Sequence, residues 1–317
     1  MMNDIEIKFD CAQFESQIRQ QLNFFYRPIY LDDVHKIKKI FLKGKSITGQ
    51  KKIKNLTGID NFKNLEELEI SNFESIADYI SDIYSLNGLK ALTINRCHLK
   101  DIDGIGNLKN VEYLNLDYND LSDVSDIGNL NNLKEISIKQ NKVKNLKFCS
   151  ELNELVKVTA EDNQIETLEG LENKEKLNYI MLNSNNITDI SSIGLDKKLI
   201  SIHLKDNNIT DIKALKELIN LENLDLSESN VGEISPLVNL NKLSRLDISY
   251  NKAISDIQEL KKLNHLKELY IRDCKVDNFE FLIPYDQLEV LDIKNNKITD
   301  KELIINVMKN NTLKAFW

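Results

Sequence analysis

The chain is poor in the residues that interrupt, staple or activate a protein. Of its 317 residues only 3 are Pro and 10 are Gly, so no low-complexity linker divides it. The four cysteines, Cys11, Cys97, Cys149 and Cys274, form no CxxC pair, which argues against a zinc site. The four histidines, His35, His98, His203 and His265, are scattered. None stands in HExxH or in a recognisable Ser/His/Asp spacing, and neither GxxxxGK[ST] nor GxGxxG occurs. No stretch approaches the ~20 apolar residues that span a bilayer. The first residues, MMNDIEIKFD, lack the basic-then-apolar order of a signal peptide, and the last, NNTLKAFW, carry no anchoring segment. Acidic groups outnumber basic ones by 50 to 42, for a formal net charge of -8. That balance disfavours a nucleic-acid partner, and no basic, aromatic-interleaved stripe offsets it. The expected location is cytoplasmic, the alternative being a secreted or cell-surface chain without its signal.

What is present is a repeat. The pattern LxxLxL/I begins at Leu65 and recurs at Leu89, Val111, Leu133, Leu155, Leu177, Leu199, Leu221, Leu243, Leu266, Leu288 and, truncated, Leu313, with one earlier turn at Ile37. Every interval from Leu89 to Leu243 is 22 residues. In LISIHLKDNNITDIKALKELIN, Ile202 and Leu204 alternate with polar residues, the period of a short strand with one buried face. The apolar positions that follow, Ile209, Ile212, Leu215 and Leu218, recur every three residues and suit a 3₁₀ or loosely helical return. No single turn can bury its apolar side chains alone, but stacked turns share a continuous core. The expected fold is therefore an α/β solenoid, curved and right-handed, with a parallel concave sheet and a convex side of 3₁₀ segments and loops.

The ninth position of the turn is diagnostic. It holds Asn119, Asn141, Asn163, Asn185, Asn207, Asn251 and Asn296. Asparagine carries both a donor and an acceptor, so a column of them can satisfy the backbone of adjacent turns where the chain leaves the strand. Cys97, Ser229 and Cys274 share this column and read as members of the ladder, whereas Cys149 falls at a core position and Cys11 in an N-terminal helix. Asp101, Asp123, Asp189, Asp211 and Asp256 recur just ahead of the return segment, where a carboxylate can cap free N–H groups.

A solenoid needs closed ends. Residues 10–23 place Phe14, Ile18 and Leu22 on one helix face, with Asp10 as the expected N-cap, and a second short helix is expected over Asp32–Lys36. Asp300–Lys309 reads as a helix, followed by a last strand whose Phe316 and Trp317 would cover the core. The domain division that follows is a helical cap over 1–36, repeats over 37–299 and a closing helix and strand over 300–317.

The repeat LxxLxLxxNxIxDIxxLxxL resembles the 22-residue repeats of the bacterial internalin family. FDCAQFESQIRQQL followed by PIYLDDVHKIKKIFLKGKSIT resembles the helical cap that precedes those repeats. The leucine-rich regulatory subunit of eukaryotic protein phosphatase 1 has the same repeat length but not this cap. The internalin resemblance implies a curved solenoid whose concave sheet binds a protein. The sequence departs from secreted internalins in lacking a signal peptide, an immunoglobulin-like module and a wall-anchoring segment.

Positions 3, 5, 7 and 8 of each turn face the concave side or its rim, and they vary while the core columns hold. They carry the residue types enriched at interfaces. The candidate partner-binding residues are Tyr113, Tyr118, Tyr179, Met181, His203, Asp225, Arg245, Asp247, Tyr250, Tyr270 and Arg272. Asp225 and Asp247 fall one strand apart, a like-charge pair that a partner's Lys or Arg would relieve. The expected function is non-enzymatic protein binding, as an inhibitor, effector or immunity-type protein, by a chain that is monomeric by itself, inserts into no membrane and needs no cofactor or metal. The alternative is an internalin-like adhesion module. A third reading is a hydrolytic or metal site at the concave carboxylates.

Overall fold

Alternation at positions 4 and 6 of the repeat builds the strands. In a computed structural model that describes residues 5–44, 53–73, 76–310 and 313–316, the chain divides into two compact units, Met1–Val143 with Glu151–Leu155, and Lys144–Ser150 with Val156–Trp317. Each is a stretch of leucine-rich-repeat solenoid. The first carries five strands, β1 (Lys39–Lys43), β2 (Glu67–Ser71), β3 (Ala91–Asn95), β4 (Tyr113–Asn115) and β5 (Glu135–Ser137). They pair in parallel in sequence order. The second carries β6 (Lys157–Thr159), β7 (Tyr179–Met181), β8 (Ser201–His203), β9 (Asn223–Asp225), β10 (Arg245–Asp247), β11 (Glu268–Tyr270), β12 (Val290–Asp292) and β13 (Lys314–Phe316), again parallel and in sequence order.

The register puts like on like. In the first unit Ile40, Leu68, Leu92, Leu114 and Ile136 stand side by side, and in the second Val158, Ile180, Ile202, Leu224, Leu246, Leu269 and Leu291. All are buried. The return segments include short 3₁₀ pieces, such as Lys213–Glu217, which buries Leu215. Each such side chain contributes about 1.5–3 kcal/mol relative to exposure, so every turn is held by its neighbours rather than by itself.

Aspartates cap these segments in two ways. Asp101, Asp123, Asp189 and Asp211 each accept the N–H two residues on, at 2.8–2.9 Å. Asp256 works instead across turns, taking the N–H groups of Ile234 and Ser235, and Asp126 takes those of Gly104 and Gly106. Asp196 accepts the Lys174 N–H at 2.9 Å while its other oxygen has no partner. Burial pushes that carboxyl up to about 6.

The ends differ in detail from the sequence reading. Helix α1 spans Ala12–Leu22, and Cys11, not Asp10, occupies its N-cap. The reason is burial: Asp10 is exposed, whereas Cys11 is 4% exposed and its sulfur accepts the Lys54 N–H at 3.3 Å. Helix α2 is a single turn, Leu31–Val34, shorter than the Asp32–Lys36 reading, because the backbone must straighten to enter β1 at Lys39. On α1, Gln17 and Gln21 each bond to one residue of β1 through both amide atoms. Gln17 accepts the Lys43 N–H and donates to its carbonyl, and Gln21 does the same with Phe41. Two side chains thus stand in for a missing strand on an open edge. Helix α3 spans Lys301–Asn310, with Asp300 capping it by accepting the Leu303 N–H at 2.9 Å. The expected core cover by the side chains of Phe316 and Trp317 falls outside the described residues.

Candidate binding face and ladder

The ladder is a side-chain extension of the sheet. Asn251, fully buried, donates from Nδ2 to the carbonyls of Leu226 and Ile248, each at 2.9 Å, and accepts the Val231 N–H at 2.9 Å. Asn119, Asn141, Asn185, Asn207 and Asn296 repeat this arrangement on their preceding turns. Asn163 donates to Ala160 and Glu161. Cys97 donates to the Ile70 and Asn95 carbonyls, and Cys274 to those of Ile248 and Arg272. Burial pushes both thiols up to about 11, which keeps the donated proton in place at neutral pH. Ser229 is too short to bridge the turns, and its buried hydroxyl has no partner.

Just before the ladder lies a second regularity. Position 8 has φ between +47° and +65° in every turn from Asn72 to Asn295. This left-handed turn lets the N–H donate to the next turn beyond the end of the strands, as Tyr118 does to Lys139 and Tyr250 to Arg272. Side chains without Asn or Asp character resist that conformation by roughly 1–2 kcal/mol. Where cysteine replaces asparagine, the residue after it, His98 or Lys275, is left-handed too.

The candidate face residues all lie outside the core. Tyr113 on β4 and Tyr118 beyond it belong to the first unit and are 45% and 38% exposed. The Arg96 guanidinium stacks on Tyr118 at 3.9 Å. In the second unit Tyr179 and Met181 sit on β7, His203 on β8, Asp225 on β9, Arg245 and Asp247 on β10 and Tyr270 on β11, with Tyr250 and Arg272 just past β10 and β11. The register sets Met181, His203, Asp225, Asp247, Tyr270 and Asp292 in one row across six strands.

Tyr270 of that row joins a cluster with Arg245 and Glu268, which pair in the row two residues upstream. Arg245 donates to Glu268 and to the Tyr270 hydroxyl at 2.9 Å, while its guanidinium stacks over the Tyr270 ring at 4.4 Å. Tyr270 in turn donates to Glu268 at 3.0 Å. Arg272 lies 5.9 Å from the Tyr250 ring and 3.7 Å from Asp292. Tyr179 is not part of this cluster, since β8 and β9 intervene. Asp225 and Asp247 are adjacent in register. Each spends one oxygen on the backbone N–H two residues on, Ser227 and Ser249. Burial, with Asp225 nearby, lifts the Asp247 carboxyl above its ordinary range.

Arg96, Glu268 and Asp292 are functional candidates absent from the sequence-based set. Their signal is an arginine or carboxylate at a face position one turn away from a tyrosine or arginine. Sequence spacing also gave no sign that Ser201 and His203 touch, at 3.0 Å. Ser201 is buried. Among the described residues no three His, Cys, Asp or Glu side chains are grouped to hold a metal, and no helix is long and apolar enough to cross a membrane.

Comparison with known proteins agrees with this geometry. Residues 219–262 match the family model for leucine rich repeats in two copies. No curated protein matches the sequence. Among solved structures, an internalin (inlF) from Listeria monocytogenes superposes with a TM-score of 0.81 at 24% identity, over 99% of this chain and 98% of that one. The functional domain of InlJ from the same organism, which includes a cysteine ladder, gives 0.74 at 19% identity over 91% and 65%. The Drosophila Toll–Spatzle complex gives 0.69 at 18% identity over 84% and 42%. Residues 219–262 are leucine rich repeats by that match, and the chain has the leucine-rich-repeat fold that the solved internalins share.

Proposed function

We propose that the solvent-facing side of the strands, expected to be concave, binds a partner protein, with Tyr179, Met181, His203, Asp225, Arg245, Asp247, Tyr250, Tyr270 and Arg272 as contacts in the second unit and Tyr113 and Tyr118 in the first. The observation that carries this reading is the Arg245–Glu268–Tyr270 cluster. It holds a large aromatic and a guanidinium in fixed positions on a solvated face, which lowers the side-chain entropy lost on association. Arginine and tyrosine are also the side chains that dominate binding energies at interfaces. Asp225 and Asp247 favour a partner that brings a Lys or Arg to this point, because a cation between them relieves their repulsion. The fold is compatible with such use, since Toll is seen in complex with Spatzle.

Within this class we read the protein as an intracellular inhibitor, effector or immunity-type protein that acts by covering its partner and performs no chemistry itself. The likeness to internalins supports a second reading as an adhesion module on the cell surface. Fractionation of the source cells separates the two. The binding claim is tested by affinity capture with the native chain and with a variant combining Tyr179→Ala, Met181→Ala, Arg245→Ala and Tyr270→Ala. A partner retained by the first and lost by the second, at equal circular dichroism and melting temperature, is the expected result. A partner that both retain equally refutes it.

A further inference from the structure

One cavity in the first unit is not part of the row just described. It is an open pocket of about 480 Å³ beside the rim, between the turns that contain Asn72, Arg96, Tyr118 and Gln140. Its walls include Phe73 and His98, and four of these six residues, Arg96, His98, Tyr118 and Gln140, are left-handed side chains that are neither Gly, Asn nor Asp. Of the other turns, four place Asp162, Asp206, Asp273 and Asn295 at position 8, for which that backbone is easy, and three place Ser184, Glu228 and Tyr250 there. Three successive turns therefore carry Arg, Tyr and Gln where a cheaper residue was available, and all three line one space.

The charges around that space are unequal. Asp120, the carboxylate in its wall, is engaged by Lys142 at 2.7 Å and by His98 at 3.4 Å. Arg96 meets no carboxylate among the described residues. Its guanidinium lies over the Tyr118 ring at 3.9 Å, and no hydrogen bond engages its N–H donors among the described residues. A planar, oriented guanidinium with free in-plane donors matches the two oxygens of a carboxylate. The stacked tyrosine adds rigidity without competing for those donors.

We propose that this cavity is a carboxylate-binding site in which Arg96, stacked on Tyr118, holds the anion through two parallel hydrogen bonds. The carboxylate belongs to an acidic side chain or to a chain terminus, and the two sources share this chemistry. The site stands independently of the sheet-face reading, since its residues lie in the first unit and its test uses small molecules. Failure here leaves the partner-binding proposal untouched.

The experiment is a titration of the full chain, labelled with nitrogen-15, watched through the arginine Nε–H resonances. The probes are acetyl-glutamate amide for a side-chain carboxylate and acetyl-glutamine for a terminal one, with the neutral acetyl-glutamine amide as control. The expected result is a saturable shift of one arginine resonance with a Kd of about 1 mM or tighter for at least one acid. The shift is absent with the neutral control and absent in Arg96→Gln. The stronger of the two acids identifies the source. Arg96→Asn, which suits the left-handed backbone, is expected to melt no lower than the native chain while losing the shift. Three results each overturn the proposal: no saturable shift with either acid, an equal shift with the neutral amide, or a shift that survives Arg96→Gln. A lower melting temperature for Arg96→Asn overturns the argument that arginine is kept there at a conformational cost.

Discussion

Replacing Asn251 by Ala removes the most completely buried asparagine of the ladder. Four groups lose a contact at once: the Leu226, Ile248 and Ser249 carbonyls and the Val231 N–H, of which the Ser249 carbonyl keeps the Glu228 N–H. Water cannot replace the amide, because the position is fully buried. A hydrogen bond contributes about 1 kcal/mol net, and each buried group left unpaired costs about 1–3 kcal/mol. Two stranded groups and a small void, with the Ile248 carbonyl retaining the Cys274 thiol, give a loss of about 3 kcal/mol. Equilibrium urea unfolding followed by circular dichroism reads this as a lower midpoint at unchanged slope. Asn251→Cys should lose less, because Cys97 and Cys274 already donate from the same position. The mirror experiment is Ser229→Asn, which brings a donor to the Leu204 carbonyl and an acceptor to the Ile209 N–H, and should gain about 1 kcal/mol. A loss below about 1 kcal/mol for Asn251→Ala, well under the stranding cost, would refute the view that the ladder is a principal tie between turns.

Asp196 supplies a pH prediction. Its folded-state carboxyl titrates near 6, above the ordinary value of 3.8, so the folded chain binds that proton more tightly than the unfolded one. Stability from this group is present below the unfolded value and is lost as pH rises through about 6. Asp196→Asn should therefore be more favourable, relative to the native chain, at pH 7.5 than at pH 4.5, by on the order of 1–2 kcal/mol; a difference that does not change with pH contradicts the assignment. Gln17→Ala with Gln21→Ala uncovers the edge of β1 and should promote concentration-dependent association, read by light scattering. A variant that stays as monodisperse as the native chain would show that the two amides do not guard that edge.

Strands, return segments and ladder were legible in the sequence because each rests on one residue type doing one job every 22 residues. The column that contains Ile202 hardly varies, because the core around it does not; its other members include Leu68, Leu92, Leu114 and Ile136. What was not legible depends on partners a full turn away. Asp256 looks like a local cap but serves the preceding turn. Asp10 looks like a better N-cap than Cys11, yet the position must be buried and small. The two glutamines of α1 read as ordinary helix surface until β1 is placed beside them. On the face, the pairing of Arg245 with Glu268 and Tyr270 crosses one turn of 23 residues, so it appears only once the strands are in register. The left-handed backbone at position 8 has no signature in a column that holds Arg96, Tyr118 and Gln140.

The central claim is that a partner docks on the solvent-facing side of the strands, expected to be concave. A photo-reactive phenylalanine analogue placed at Tyr179 on β7, and separately at Ile219 on the return side, tests it inside the source cell. Both positions are exposed, at 37% and 52%, so access does not distinguish them. The account predicts a discrete crosslinked protein from position 179 and none from position 219, with the product from 179 lost when Arg245→Ala and Tyr270→Ala are added. The same crosslinked protein from position 219 alone would place the interface on the other side of the chain and contradict the claim.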